Sequence, residues 1–332
     1  MMTSTELRAP TFADVTDAAA QLRGKTILTP LLESEALNQK VGGRLLCKAE
    51  ALQVTGSYKF RGAYNRLSRL DAAARARGVV AFSTGNFGQG IATAAKMLGI
   101  PATIIVPKDA PSVKVDNARA QGAEVLFYDR AIKNHREDMA RQLAAERGLT
   151  IVPPGDDAEV IAGYGTTGLE MEEQFAGKID TVLGPCGGGG LMAGVSLVFK
   201  ARRPETRLFT VEPAGFDDTS RSLAAGQRLG NETGAKSICD AILTPMPAEL
   251  PFGVLQQNIE RGLVVTDDAV RSAMAQAFLH LKIVLEPAGA IALAAALSGI
   301  YDCRGKTVAV ICSGSSVDAA VFTAALETLR AS

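Results

Sequence analysis

Thr55-Gly56-Ser57-Tyr58-Lys59-Phe60-Arg61-Gly62 sets a lysine between two aromatic residues, with a glycine three positions to either side. The glycine predicts a turn that delivers Lys59 to the start of a helix beginning near Tyr58. A lysine held against aromatic rings loses hydration, so its amine deprotonates more easily and can form an imine with a carbonyl compound. Taken alone, the stretch equally describes a solvated lysine on a helix face, the usual setting of that residue.

On either side of this stretch, short apolar or β-branched runs alternate with helical patterns. The runs are Leu45 to Ala49, Val79 to Ser83, Ala102 to Val106, Glu124 to Phe127, Thr181 to Leu183, Leu208 to Val211 and Thr307 to Ile311. Strands alternating with helices are the mark of parallel sheets covered by helices, so an α/β fold is expected. With 332 residues and 47% hydrophobic content, the chain is long enough for about two domains with substantial cores. No low-complexity linker, charge run or internal repeat marks a boundary between them.

Two strand-to-helix turns carry chemical interest. Ser83-Thr84-Gly85-Asn86-Phe87-Gly88-Gln89-Gly90 follows one predicted strand and precedes the helical Ile91 to Leu98. Hydroxyls, an amide and a helix amino terminus converge there, where ligands collect in open parallel sheets, although a capping turn would use the same residues. In Gly184-Pro185-Cys186-Gly187-Gly188-Gly189-Gly190-Leu191-Met192-Ala193-Gly194, four consecutive glycines carry no side chains to hinder an anion. Their N–H groups and the following helix dipole can cradle a phosphate. Gly188-x-Gly190-x-x-Ala193 also satisfies a loose dinucleotide fingerprint, with Glu212 near the end of a predicted strand, so a nicotinamide oxidoreductase stays open on these residues. It would leave Lys59 and the Ser83 to Gly90 turn without a role. Ile311-Cys312-Ser313-Gly314-Ser315-Ser316-Val317-Asp318 is a further strand-end turn with clustered hydroxyls.

Composition narrows the classes. Thirty-five basic residues balance thirty-five acidic ones, without a dense basic block, so neither nucleic acid nor an anionic membrane is an expected partner. Met1 to Pro10 lacks the apolar core of a signal peptide, and the apolar run Ala288 to Leu297 is too short to span a bilayer; a cytoplasmic protein is expected. The five cysteines, Cys47, Cys186, Cys239, Cys303 and Cys312, form no Cys-x-x-Cys pair and fit a reduced compartment. The two histidines, His135 and His280, leave little room for a histidine-rich zinc site or a Ser-His pair, so catalysis is expected to need a cofactor.

Together, Gly56-Ser57-Tyr58-Lys59-Phe60-Arg61-Gly62-Ala63, Ser83-Thr84-Gly85-Asn86, the tetraglycine loop and Cys312-Ser313-Gly314 resemble the fold type II pyridoxal phosphate enzymes. The match is nearest the threonine/serine dehydratase and serine racemase family, and it spans nearly the whole chain in the family's motif order. The resemblance implies two parallel-sheet α/β lobes, as in the tryptophan synthase β fold, with pyridoxal 5'-phosphate between them. Residues 1–55 and 155–332 would form the large lobe, and 56–154 a small lobe inserted in it. It further implies that Lys59, followed by Phe60, is the Schiff-base lysine. Asn86 would bond the pyridine hydroxyl, Gly187, Gly188, Gly189, Gly190 and Leu191 would hold the phosphate, and Ser313 would partner the ring nitrogen. A hydroxyl at that last position favours a protonated pyridinium less than a carboxylate does, which favours β-elimination over transamination.

The implied reaction is a dehydration: Lys59 removes the α proton of a β-hydroxy amino acid of the L-threonine/L-serine class, the hydroxyl leaves, and a 2-oxo acid and ammonia result. Ser83, Asn86, Phe87, Arg136 and Thr244 are the candidate substrate contacts. Two departures bear on the substrate. Thr84 stands where family racemases carry the serine that serves as acid or base on the second face, which puts racemisation in doubt. Phe87 stands where the family often has histidine, which leaves a 3-hydroxyaspartate, or a hydroxylated amino acid from hydroxyectoine degradation, open as substrate. Glu212-Pro213-Ala214-Gly215-Phe216-Asp217-Asp218 resembles the family's divalent-cation loop, implying Mg²⁺ or Ca²⁺ on Glu212, the Phe216 carbonyl and Asp218. A homodimer is also implied. An amino-acid sensor without turnover is the competing class, and the intact Lys59 and Asn86 argue against it.

Overall fold

The computed structural model describes residues 8–83, 85–108, 112–129, 132, 135–232 and 234–330. Among the described residues, ten strands form two sheets. β1 (Leu31–Leu32), β2 (Arg44–Lys48), β7 (Thr181–Pro185), β8 (Arg207–Pro213), β9 (Arg261–Val265) and β10 (Thr307–Ile311) build a six-stranded sheet in the order β1-β2-β10-β7-β8-β9. It is parallel except for β1, which runs antiparallel to β2. β3 (Val79–Phe82), β4 (Ala102–Pro107), β5 (Glu124–Tyr128) and β6 (Thr150–Ile151) form a four-stranded parallel sheet in the order β5-β4-β3-β6. All six residues of β4 are buried, as are four of the five in β10, because helices cover both faces of a parallel sheet.

The alternating pattern is therefore an α/β fold, and each of the seven anticipated strands is present within a residue or two of its expected ends. β1 and β6, two residues long, are too short to leave a periodic signal. β9 opens with Arg261-Gly262, a pair that reads as a turn; the glycine is needed because a Cβ there would lie 2.5 Å from Ser220 Cβ. The apolar run near 288 forms the helix Pro287–Leu297, buried over nearly its whole length against β7, β8 and the helix Asp267–Gln276. No described helix is long and apolar enough to cross a membrane. All five cysteines are free and buried.

Three helices meet where the two sheets approach. Lys59–Ser68 crosses Ala158–Gln174, and the latter packs along Gly190–Arg202. At the first crossing the backbones nearly touch: a Cβ on Gly163 would lie 2.7 Å from the Arg61 carbonyl oxygen and from Gly62 Cα. Backbone contact of this kind fixes the first helix, and with it Lys59, against Ala158–Gln174, which in turn packs on the helix that follows the tetraglycine loop.

Candidate active site

Lys59 is the first residue of its helix, after Tyr58 at the cap. Its Nζ lies 4.8 Å from the centroid of the Tyr58 ring and 5.1 Å from that of Tyr164, and the two rings meet edge to face. Loss of hydration draws the Lys59 amine down to about 8, against the opposing charge of Glu286 and a smaller effect of Cys186. The aromatic neighbour anticipated at 60 is elsewhere: Phe60 is wholly buried in the core beside Tyr64. Successive helical residues point about 100° apart, so the residue after a site-facing lysine turns inward.

The Ser313 turn holds the approach to Lys59. Tyr58 N donates to Ser313 O at 3.2 Å, Ser57 and Gly314 form an antiparallel bridge, and Ser315 N donates to Gly56 O at 2.9 Å. Gly56 has φ +70°, a conformation glycine enters at little cost. Ser313 itself is buried. Two residues along the helix, the wholly buried Arg61 forks onto Glu50, with Nε and Nη2 each 2.8 Å from a carboxylate oxygen, and also onto Glu170 at 2.7 and 2.8 Å.

Asn86 begins the helix Asn86–Leu98 just beyond β3. Its Nδ2 donates to Glu286 Oε1 at 2.6 Å. At the same turn Gly85 N donates to Ser83 Oγ at 3.3 Å. Thr84 lies outside the described residues. Phe87 is buried in the core rather than lining the turn, for the same angular reason as Phe60. Arg136 sits in the helix His135–Arg147, half-exposed, with its guanidinium 5.4 Å over the ring of Phe82, the residue before Ser83. Its Nε donates to Glu137 at 2.6 Å.

The glycine loop has a backbone-lined shape. Gly189, at φ +94°, caps the helix Gly190–Arg202, whose amino-terminal N–H groups no side chain caps. A Cβ on Gly187 would lie 3.1 Å from Ile242 Cα, and one on Gly189 would lie 2.8 Å from Leu255 Cδ1, so side chains have no room. Gly188 O accepts from Ala248 N at 3.1 Å. A Cβ on Gly190 would come within 3.4 Å of the Tyr164 ring, the same ring that flanks Lys59. Leu191 points into the core. Thr244, on the segment that walls the loop, has a buried Oγ1 without a hydrogen-bond partner. A desolvated amine, an uncapped helix amino terminus free of side chains and an orphaned buried hydroxyl together fit a phosphorylated aldehyde such as pyridoxal phosphate.

Glu212 lies close enough to Asp218 to feel its charge. Burial, then Asp218, pushes Glu212 up to about 8, and burial pushes Asp218 up to about 6. Glu212 accepts the N–H groups of Thr219 and Ser220 at 2.8 and 2.7 Å, and Asn231 Nδ2 donates to Asp218 Oδ1 at 2.6 Å. Asp218 Oδ2 is buried without a partner. Among the described residues, no group of three or more His, Cys, Asp or Glu side chains is arranged to hold a metal ion.

The chain thus gathers Lys59, the Ser313 turn, Asn86 and, through Tyr164, the glycine loop; Phe60, Phe87 and Leu191 belong to the core. Tyr164 and Glu286 escaped the sequence analysis. The available signals were an aromatic between two glycines, Gly163-Tyr164-Gly165, and a carboxylate inside the apolar run Val284-Leu285-Glu286-Pro287-Ala288.

Comparison with known proteins agrees with this geometry. The model of the family described as pyridoxal-phosphate dependent enzyme matches residues 23–314. The chain is 40% identical to an L-threo-3-hydroxyaspartate ammonia-lyase of a Pseudomonas species over 94% of this chain and 97% of that protein. It is 38% identical to the protein of the same name from Saccharomyces cerevisiae, over 93% and 94%. The structure of maize serine racemase superposes with a TM-score of 0.90 at 33% identity, covering 98% of this chain and 99% of that one. A lysine stripped of water beside a glycine cradle, on a fold shared with these proteins, leaves no place for the dinucleotide reading: the chain belongs to the fold type II pyridoxal-phosphate dependent enzymes.

Proposed function

We propose that this chain is an ammonia-lyase that converts a β-hydroxy amino acid carrying a second carboxylate, of the 3-hydroxyaspartate class, into its 2-oxo acid and ammonia. Pyridoxal phosphate, when bound, supplies the electron sink that makes the Cα proton removable. Lys59 Nζ, drawn down to about 8, holds and moves that proton at neutral pH. The β-hydroxyl leaves as water, and the enamine product tautomerises and takes up water, releasing ammonia. Ser83 and Asn86, at the strand-end turn, orient the α-carboxylate. Thr244 Oγ1, buried and unpartnered, offers one hydroxyl to the bound molecules. The observation that carries the substrate class is Arg136, whose guanidinium lies over the ring of Phe82, the residue before Ser83, in a chain whose relatives at 40% and 38% identity bear the hydroxyaspartate name.

The test is a panel of both enantiomers of serine and threonine and the 3-hydroxyaspartate isomers, reading 2-oxo acid and the chirality of remaining substrate. One 3-hydroxyaspartate isomer is expected to lead in kcat/KM. Arg136→Ala should raise its KM by about 10- to 100-fold, the worth of a charged hydrogen bond, and leave serine within a few-fold. Equal losses on serine, or a preference for threonine, would return the reading to the general dehydratase. Racemised serine would favour a racemase.

The same reading takes residues 56–154 as the small lobe, since every strand of the four-stranded sheet lies between 79 and 151. It includes a divalent cation at Glu212, Asp218 and the Phe216 carbonyl. Two buried carboxylates that repel each other, one with an orphaned oxygen, are a setting that a hard cation relieves. Millimolar Mg²⁺ or Ca²⁺ is then expected to raise the melting temperature by several degrees, following ligand linkage, and Asp218→Asn to remove that rise. An unchanged melting temperature would sink the cation. A cytoplasmic homodimer belongs to the reading too. The free cysteines support it, as do exposed Ile27, Leu28, Leu52 and Val54, which the Ile27–Gln53 hydrogen bonds bring together.

A further inference from the structure

Glu286 has no part in the reaction as derived above, yet it touches three pieces of the site. It is 3% exposed and immediately precedes the helix Pro287–Leu297, a buried mount. Its backbone N donates to Gly314 O at 3.0 Å, next to Ser313, and Ser313 N donates to Gly289 O at 3.3 Å in the first turn of that helix. Its Oε1 accepts Asn86 Nδ2 at 2.6 Å. Gly314 closes over the pair, since a Cβ there would lie 2.2 Å from Glu286 Oε1 and 3.2 Å from Asn86 Nδ2. Its charge also acts on the Lys59 amine, favouring the protonated form.

The two ends of an asparagine amide have almost the same shape and differ only in what they offer, donors at nitrogen and an acceptor at oxygen. A carboxylate offers acceptors alone. With Glu286 beside it, a flipped Asn86 would press one acceptor oxygen against another at hydrogen-bond distance. The nitrogen end is therefore held toward Glu286, and since it carries two hydrogens, one remains to be donated elsewhere.

We propose that Glu286 is a positioning residue that locks the Asn86 amide nitrogen toward the site, so that Asn86 meets the phenolic oxygen of the cofactor as a donor. The inference rests on the reading of Asn86 as the partner of that oxygen. Ser313, Asn86 and Lys59 are then aimed from one rigid mount, the Glu286–Gly289 turn, rather than from three independent loops.

The test compares four cofactor-loaded proteins: the parent, Glu286→Gln, Asn86→Ala and the double variant. The readouts are cofactor dissociation by equilibrium dialysis and the pH midpoint of the absorbance of the lysine-bound cofactor. Glutamine can present either end of its amide and carries no charge. Glu286→Gln is expected to weaken cofactor binding about fivefold, and Asn86→Ala about tenfold, the range of single buried hydrogen bonds. In the Asn86→Ala background the glutamine should add less than about twofold, because the residue acts through Asn86. The absorbance midpoint should fall by about one unit in Glu286→Gln, where a charge favouring the protonated lysine nitrogen has gone. Glu286→Asp is the second variant: it keeps the charge but cannot span the same bond, so it should weaken binding like Gln while holding the midpoint. Losses that multiply in the double variant, or a midpoint that stays put in Glu286→Gln, would overturn the proposal. An Asn86→Ala protein that binds cofactor normally would overturn it through Asn86. Neither readout involves turnover, so these failures are distinct from failure of the substrate assignment.

Discussion

Lys59→Ala is expected to abolish turnover, with a fall of at least about 10⁴-fold, because one side chain serves both as the attachment point of the cofactor and as the base for the Cα proton. Such roles are not additive, so the loss is all-or-none rather than a product of two smaller ones. Lys59→Arg retains a cation but supplies no nucleophilic amine, and should be equally dead. Reduction of the loaded parent protein followed by mass spectrometry should place the cofactor on Lys59, and on no residue of the alanine variant. The fold should survive: Arg61 and the Gly62–Gly163 crossing, which anchor the helix, are untouched. Residual turnover within about a hundredfold of the parent, in the range of losing a single general base, would show that another base does the work.

The pH dependence of loading tests the environment of the same amine. The folded pKa is drawn down to about 8 from 10.5, chiefly by loss of hydration. At pH 8 about half the amines are then neutral, against roughly one in three hundred for an ordinary lysine. Below pH 8 the rate of cofactor attachment should drop about tenfold per unit, and above it level off. Tyr58 and Tyr164 are the rings that exclude water.

Much of this arrangement is legible in the sequence, and the exceptions share a physical origin. β4 and β10 are recognisable because a strand buried on both faces must be a continuous apolar run, as Ala102–Pro107 and Thr307–Ile311 are. The glycine loop is recognisable because backbone-only chemistry leaves a trace that no other residue can imitate. What a linear reading cannot give is direction and distant partnership. Phe60 and Phe87 adjoin functional positions in sequence, but helical geometry turns them into the core. Tyr164 reaches Lys59 from a helix far along the chain, and Glu286 reaches Asn86 from the cap of the helix Pro287–Leu297. Both bring a side chain whose meaning depends on what lies opposite.

Arg61→Ala should give the largest stability loss of any single substitution considered. Glu50 is wholly buried, and it stays ionised only because Arg61, then Lys48, outweigh the burial that would otherwise push its carboxyl up. Glu170 loses two hydrogen bonds at the same time, keeping Lys48 Nζ at 2.6 Å. Removing one partner of a buried ion pair costs about 3–5 kcal/mol, since the other is left uncompensated. The sign with pH follows from Glu50. In the parent its folded pKa is depressed, so its contribution is present above the unfolded value and is lost as pH falls through the folded one. In the variant the folded pKa rises above the unfolded value, so the penalty is full near pH 7 and fades as the carboxyl takes up a proton on acidification. Denaturant unfolding of both proteins should therefore show a gap that narrows as the pH is lowered and Glu50 of the variant takes up its proton. Adding Glu50→Gln to Arg61→Ala should recover part of the loss, because no buried charge then remains unpaired at that position. A gap that is small or independent of pH would mean that water or Lys48 already neutralises Glu50, and that the helix carrying Lys59 is held by its glycine crossing alone.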